Sequence, residues 1–221
     1  MQQLTAHNIQ HAFGKKPILQ DVSLNLNVGQ ITALFGRNGS GKTTLLNILF
    51  GILKNASFQI TVDGKRIKQK KIIPQQIIGY LPQYHFLPKN LTVRQIIPLF
   101  FKDGELQDVI FYSKGVSAFE KKKIGQLSIG QRKYLEVLLV AHLSHPFLLL
   151  DEPFTMVEPL YKEEIKNILV NIKRYKGILI TDHYYHDVLS IANRIYLLKE
   201  GLMKNVSSEK ELQELEYLKT V

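Results

Sequence analysis

A chain of 221 residues, 45% hydrophobic and 22% charged, has the make-up of an ordinary soluble globular protein, with length for one large domain or two small ones. It has no cysteine, which excludes disulfides and cysteine-based catalysis, and no apolar run long enough to cross a bilayer; the longest, such as LLNILFGIL at 45–53, are interrupted by polar residues. With 29 basic and 19 acidic side chains the net charge is +10, which favours anionic partners: nucleotide phosphates, nucleic acid or an anionic membrane face.

The opening MQQLTAHNIQ lacks the basic start and apolar core of a signal peptide, so none is expected. The N-terminal part reads as β structure. VSLNLNV at 22–28 alternates strictly, with Val22, Leu24, Leu26 and Val28 on one face. ITALF at 31–35 is a short apolar strand that runs into a glycine-rich stretch, and KTTLLNILFGIL behind it is helix-like. FQITVDGK at 58–65 is a strand entering an Asp-Gly turn. Lys65, Arg66, Lys68, Lys70 and Lys71 then cluster, as do Lys121 to Lys123. Neither cluster is interleaved with aromatics, so both read as solvated faces and no nucleic acid is expected.

From about 84 to 130, Pro88, Pro98, Gly104, Gly115 and Gly125 break any regular alternation, and the segment reads as short helices and loops, an inserted helical subdomain. Alternation then sets in. YLEVLLVAHL at 134–143 is helical, FLLLD at 147–151 a strand, YKEEIKNILVNIKRY at 161–175 a helix, and ILIT at 178–181 a strand. A short helix and the strand IYLL at 195–198 follow. Strand–helix alternation of this kind means a parallel sheet covered by helices. In the tail, Ser208 and Glu211 have the spacing of a capping box, and Leu212, Leu215 and Leu218 recur at helical intervals.

The glycine-rich stretch is GRNGSGKT, Gly36 to Thr43, which matches G-x-x-x-x-G-K-[ST] at every fixed position, with a strand before it and a helix behind. Gly36, Gly39 and Gly41 let the backbone turn tightly and aim its N–H groups at phosphate oxygens, with Asn38, Ser40 and Thr44 in the same cradle. The helix N-terminus adds its positive end. Lys42 is placed for the β- and γ-phosphates and the Thr43 hydroxyl for Mg²⁺. The motif implies a nucleoside triphosphate.

That site explains HPFLLLDEPF at 145–154, where a segment built for burial ends in two acids. A buried charge is costly unless paired or bound to metal. Asp151 at a neighbouring strand end would hold Mg²⁺, and Glu152 beside it would accept a proton from an attacking water. The bland alternative is that one acid caps the next helix. It suits Glu152 or Glu158 but leaves Asp151 without a reason. His183, just past the strand 178–181, also follows a strand's carboxyl end, where ligands bind in open parallel sheets. This raises it above His7, His11, His142 and His145. His186, three residues on, is a weak metal candidate, because a phosphate site explains His183 without it.

With these residues the chain resembles the ATP-binding cassette ATPases, the motor subunits of ABC transporters. LSIGQ, Leu127 to Gln131, looks like the family signature LSGGQ, just before a helix and some 20 residues before Asp151. The resemblance covers nearly the whole chain. It identifies Gln83, in GYLPQ, with the glutamine loop and His183 with the switch histidine. Phe13 matches the aromatic that stacks on adenine, and Thr155 to Glu158 the D-loop. It implies ATP and Mg²⁺, the ion held by Thr43, Gln83 and Asp151. Catalysis would rest on Lys42, Glu152, His183 and Gln83. Two cassettes, identical or different, would pair head to tail, each nucleotide meeting Ser128, Gly130 and Gln131 of the other subunit.

The fold implied is α/β, of the P-loop NTPase kind: a mostly parallel sheet flanked by helices, with an N-terminal antiparallel β subdomain and a helical subdomain inserted at about 84–135. The whole chain, 1–221, is one cassette domain. Two positions depart from the family: Ile129 replaces the first signature glycine and Glu158 stands for the D-loop aspartate. An active ATPase is expected, slowed where the bulk of Ile129 meets the partner's phosphate. The favoured reading is a transporter motor, docked on separate transmembrane subunits at the cytoplasmic, inner face of the cell membrane. The alternative is a soluble non-transport ABC ATPase, for example of iron–sulfur cluster assembly. Translation or repair members, with their paired cassettes or long coiled coils, fit less well.

Overall fold

The protein is described from a computed structural model covering residues 2–215 and 217. Its elements in chain order are β1 (Gln3–Phe13), β2 (Lys16–Asn27), β3 (Ile31–Phe35), α1 (Lys42–Phe50), β4 (Ser57–Val62), β5 (Lys65–Ile67), β6 (Ile78–Leu81), α2 (Val93–Phe100), α3 (Gly104–Phe111) and α4 (Ile129–Ala141). They continue with β7 (Phe147–Asp151), α5 (Pro159–Ile172), β8 (Gly177–Thr181), α6 (Tyr185–Leu189), β9 (Arg194–Lys199), β10 (Leu202–Val206) and α7 (Glu209–Glu214).

The strands make two sheets. One is antiparallel, in the order β2-β1-β4-β5; the other runs β10-β9-β3-β8-β7-β6, parallel except for the edge strand β10. In β2 the alternation holds, with Val22, Leu24 and Leu26 buried. The Asp63–Gly64 turn between β4 and β5 has both residues at positive φ, 50° and 76°, as a tight hairpin turn requires. Asp63 also accepts the Gln3 N–H at 2.8 Å, tying the turn to the start of β1.

The apolar runs of the parallel strands are continuous because both faces are covered. In β7, Leu148 and Leu150 enter one core with α4 and α5, while Phe147 and Leu149 enter a second with α1 and the antiparallel sheet. In β3, Ala33 and Phe35 face the first core and Leu34 the second. Each such leucine or phenylalanine, fully buried, stabilises the fold by about 1.5–3 kcal/mol. The helix α1 stops short of the sequence expectation because Gly51, at φ 95°, closes it in the left-handed conformation. Between β6 and β7 the chain runs through α2, α3, two single 3₁₀ turns and α4. The two lysine-rich clusters lie exposed.

At α7 the Ser208 hydroxyl accepts the Glu211 N–H, but the Glu211 carboxylate reaches back to the N–H of Ser207, one residue earlier than a capping box places it. Leu212 is buried, and Leu218 lies outside the described residues. The carboxyl ends of β3, β8, β7 and β6, side by side in the sheet, carry Gly36, Asp182, Asp151 and the segment leading to Gln83 along one edge.

Candidate active site

The loop from Gly36 to Thr43 owes its shape to its glycines. A side chain at Gly36 would place its Cβ 2.5 Å from Ser40 Oγ and 2.6 Å from the Leu198 carbonyl, and Gly41 stands at φ 104° against Ile18. No side chain caps the N-terminus of α1, and Ser40 Oγ is buried without a hydrogen-bond partner in the protein. Lys42 is buried and folds back onto the loop, donating to the carbonyls of Gly36 at 2.7 Å and Arg37 at 3.3 Å. Burial holds its ammonium below the usual lysine range, opposed by the negative charges of Glu152 and Asp151. The loop thus presents uncapped helix amides, an orphaned hydroxyl and a lysine with only carbonyls to bind, a donor set that fits a polyphosphate.

Asp151 ends β7, 1% exposed. It accepts from the Thr181 hydroxyl at 2.7 Å and from Tyr80 at 3.5 Å, and the Thr43 hydroxyl at the start of α1 lies beside it. Burial pushes its carboxyl up, and the hydrogen bonds from Thr181 and Thr43 pull it back. A buried carboxylate touching the threonine of a phosphate loop is a hard-oxygen set that fits Mg²⁺.

Glu152 is the meeting point. Its backbone stands at φ 57°, a left-handed conformation that a non-glycine residue adopts at a cost of about 1–3 kcal/mol and that persists only where the surroundings enforce it. That turn, fixed by its N–H donating to the Thr181 carbonyl at 2.7 Å, aims the carboxylate along the sheet edge. Gln83 Nε2 donates to its Oε1 at 3.1 Å, His183 Nε2 lies 3.0 Å from the same oxygen, and the Thr155 hydroxyl donates to Oε2 at 3.1 Å. Two segments far apart in sequence, and the turn just after Glu152, converge on one carboxylate.

Asp182, between β8 and His183, was not singled out in the sequence. Its buried carboxylate accepts the N–H groups of Phe154 at 2.7 Å and Tyr184 at 2.9 Å, and the Thr155 hydroxyl at 3.4 Å. Burial pushes it up, and these donors oppose the shift. It thereby pins the turn after Glu152 to the turn carrying His183. The only sequence signal was a second acid at a strand end, TDH at 181–183.

A cleft of ≈ 420 Å³ brings Phe13, Asn38, Gly39, Gly41, Lys42, Thr43, Thr44, Gln83 and His183 together. Phe13 is exposed at its rim, edge-on to His11. The signature residues Ser128, Gly130 and Gln131 do not line it. Ser128 caps α4: its hydroxyl accepts the Gln131 N–H at 3.0 Å, and the Gln131 carboxamide accepts the Ser128 N–H at 3.1 Å. Gln131 is therefore engaged in the cap. Glu158 folds onto this corner, accepting from the Ser128 hydroxyl at 3.3 Å and lying against Gly130. Ile129 and Met156 stand outward beside it, 55% and 66% exposed. His186 packs on Tyr185.

A protein-family model described as ABC transporter matches residues 19–155. The lipopolysaccharide export system ATP-binding protein LptB of Haemophilus influenzae is 31% identical over 99% of this chain and 95% of its own length. The ABC transporter ATP-binding protein YtrB of Bacillus subtilis is 33% identical over 91% of this chain and 70% of its own. Among solved structures, a nucleotide-free ATP-binding cassette from an ABC transporter superposes with a TM-score of 0.81 at 25% identity, covering 99% of this chain and 96% of that one.

Proposed function

This chain belongs to the ABC transporter family and is an ATP-hydrolysing cassette, and on that premise we propose that it is the motor subunit of a transporter whose membrane-spanning chains are separate, working at the inner face of the cell membrane. No helix among the described residues is long and apolar enough to cross a membrane.

The observation that carries the mechanism is the convergence of Gln83, His183 and Thr155 on Glu152. In our reading, the backbone amides of the glycine loop and the Lys42 ammonium hold the β- and γ-phosphates, and Phe13 offers a ring face to the base. Thr43, Asp151 and Gln83 would hold Mg²⁺, which would supply positive charge to offset that of the phosphates. Glu152 takes a proton from the attacking water, with its carboxylate oriented by Gln83 and Thr155. His183 turns from Glu152 to the γ-phosphate.

Ser128 and Gly130, outside the chain's own cleft, serve the nucleotide of a second cassette across a head-to-tail interface. Outward-facing Ile129 and Met156 support that assignment. Release of phosphate reopens the pair, so hydrolysis is coupled to movement as a shift between two states.

The test is Glu152→Gln. Turnover is expected to fall by about 10²–10⁴, the usual worth of a general base. ATP binding should persist, and the solution mass should double in MgATP as the closed pair accumulates. A mutant that hydrolyses ATP at the wild-type rate refutes the assignment of the base.

A further inference from the structure

Lys133 and Glu136 lie one turn apart on α4, 3% and 0% exposed, on a helix whose other buried side chains past its first turn are apolar or aromatic. Both spend their polar atoms on one short segment of another part of the chain. Lys133 Nζ donates to the carbonyls of Gln83 at 2.9 Å and Pro82 at 3.4 Å. Glu136 Oε1 accepts the Phe86 N–H at 3.1 Å, and its Oε2 lies 2.9 Å from His85 Nδ1. The Lys133 ammonium also sits in the field of Asp151, Glu152 and Asp182. Burying two charges is costly, and apolar residues at these positions would cover the sheet as well. What they do that apolar residues cannot is hold the backbone on both sides of Gln83 at fixed points.

The same helix begins at Ser128. Lys133 is five residues and Glu136 eight residues along it, roughly 7.5 and 12 Å at 1.5 Å per residue. We propose that Lys133 and Glu136 are positioning residues that clamp segment 82–86 to α4, so that displacement at the signature end of the helix carries Gln83 toward or away from Glu152 as one body. The proposal rests on the role given to Gln83 above and names the hardware that moves it.

The test is a double-mutant cycle on the full chain with hydrogen exchange alongside. Lys133→Met keeps the stem and removes the donors. Its kcat should fall about ten- to a hundredfold, the rate equivalent of losing its hydrogen bonds to the two carbonyls. KM for ATP should stay within about twofold, because no group at the phosphate loop is touched. Lys133→Arg, which can donate to both carbonyls, should recover most of the rate. In a Gln83→Ala background Lys133→Met should change kcat by less than about twofold, since the residue it acts through is gone. The Phe86 amide, held by Glu136 next to the lost contacts, should exchange at least about tenfold faster in Lys133→Met.

Should Lys133→Met fail to fold, Glu136→Gln takes its place, keeping size and the acceptor for Phe86 while removing the charge that faces His85. Effects of Lys133→Met and Gln83→Ala that simply multiply, or exchange at the Phe86 amide that does not change, overturn the clamp. Wild-type turnover in Gln83→Ala alone overturns the reading of Gln83 instead, and the exchange measurement then decides the clamp by itself.

Discussion

Asp182→Asn tests how the catalytic corner is assembled. The carboxylate is 1% exposed and takes the Phe154 N–H on one oxygen and the Tyr184 N–H on the other. An asparagine has the same shape but only one acceptor oxygen. Whichever way its amide is turned, one backbone N–H faces an NH₂ group and is left buried and unpaired. A hydrogen bond to a charged group is worth about 1.5–3 kcal/mol net, so losing one outright and reducing the other to a neutral bond costs about 3–5 kcal/mol. That is a fifth or more of the stability of an ordinary domain, about 5–15 kcal/mol.

The assay is urea unfolding of both proteins with the slope m compared, since a lower midpoint at equal m reads as lost stability. Steady-state ATPase on the folded variant should show kcat falling more than KM rises. The turns that hold Thr155 and His183 on Glu152 loosen, while Lys42 and the glycine loop are untouched. A loss under about 1 kcal/mol, the size of an ordinary surface substitution's effect or little more, together with wild-type kcat, would show that Asp182 does not brace the site.

Gly36→Ala pushes a Cβ to 2.5 Å from Ser40 Oγ and 2.6 Å from the Leu198 carbonyl, and the carbonyl belongs to a sheet strand that cannot yield. Nucleotide titration should show weakened ATP binding, with stability lowered by about 1–3 kcal/mol as for other overpacked sites; unchanged affinity would mean the loop does not need this approach. Lys176 supplies a pH test. Its amine, buried and donating to the carbonyls of Leu143 and His145, is pushed down by burial to about 8 from 10.5. The unfolded chain then binds the extra proton between those values. The penalty is therefore full below about pH 8 and fades as pH rises toward 10.5, amounting to at most about 3 kcal/mol at 1.36 kcal/mol per pH unit. Unfolding free energies of wild type and Lys176→Met should diverge in favour of wild type as pH is raised from 7 to 10, and a difference independent of pH would refute the shift.

Where function rests on neighbours along the chain, the residues could be read directly. The loop from Gly36 to Thr43 and the helix behind it are local in backbone geometry, and β3, β7 and β8 announce themselves as apolar runs ending in Gly36, Asp151 and Asp182. Other elements hid because their periodicity is broken or too short. The strand β1 has register shifts at Ala6, Ile9 and His11 and a positive φ at Asn8, so its buried residues do not alternate. Four residues with a glycine, in β6, carry no pattern at all.

The site's organisation was decided only in three dimensions. Gln83 and His183 were nameable by resemblance, but their meeting on a single oxygen of Glu152 joins positions 69 and 31 residues apart. Asp182 showed only as an acid at a strand end and Thr155 only as part of the D-loop resemblance, with no sign of their bracing role, and Lys133 and Glu136 left no mark in the sequence. An acid or lysine on a helix looks solvent-facing until the fold supplies, some 30 to 50 residues away, the donors and acceptors that make its burial affordable.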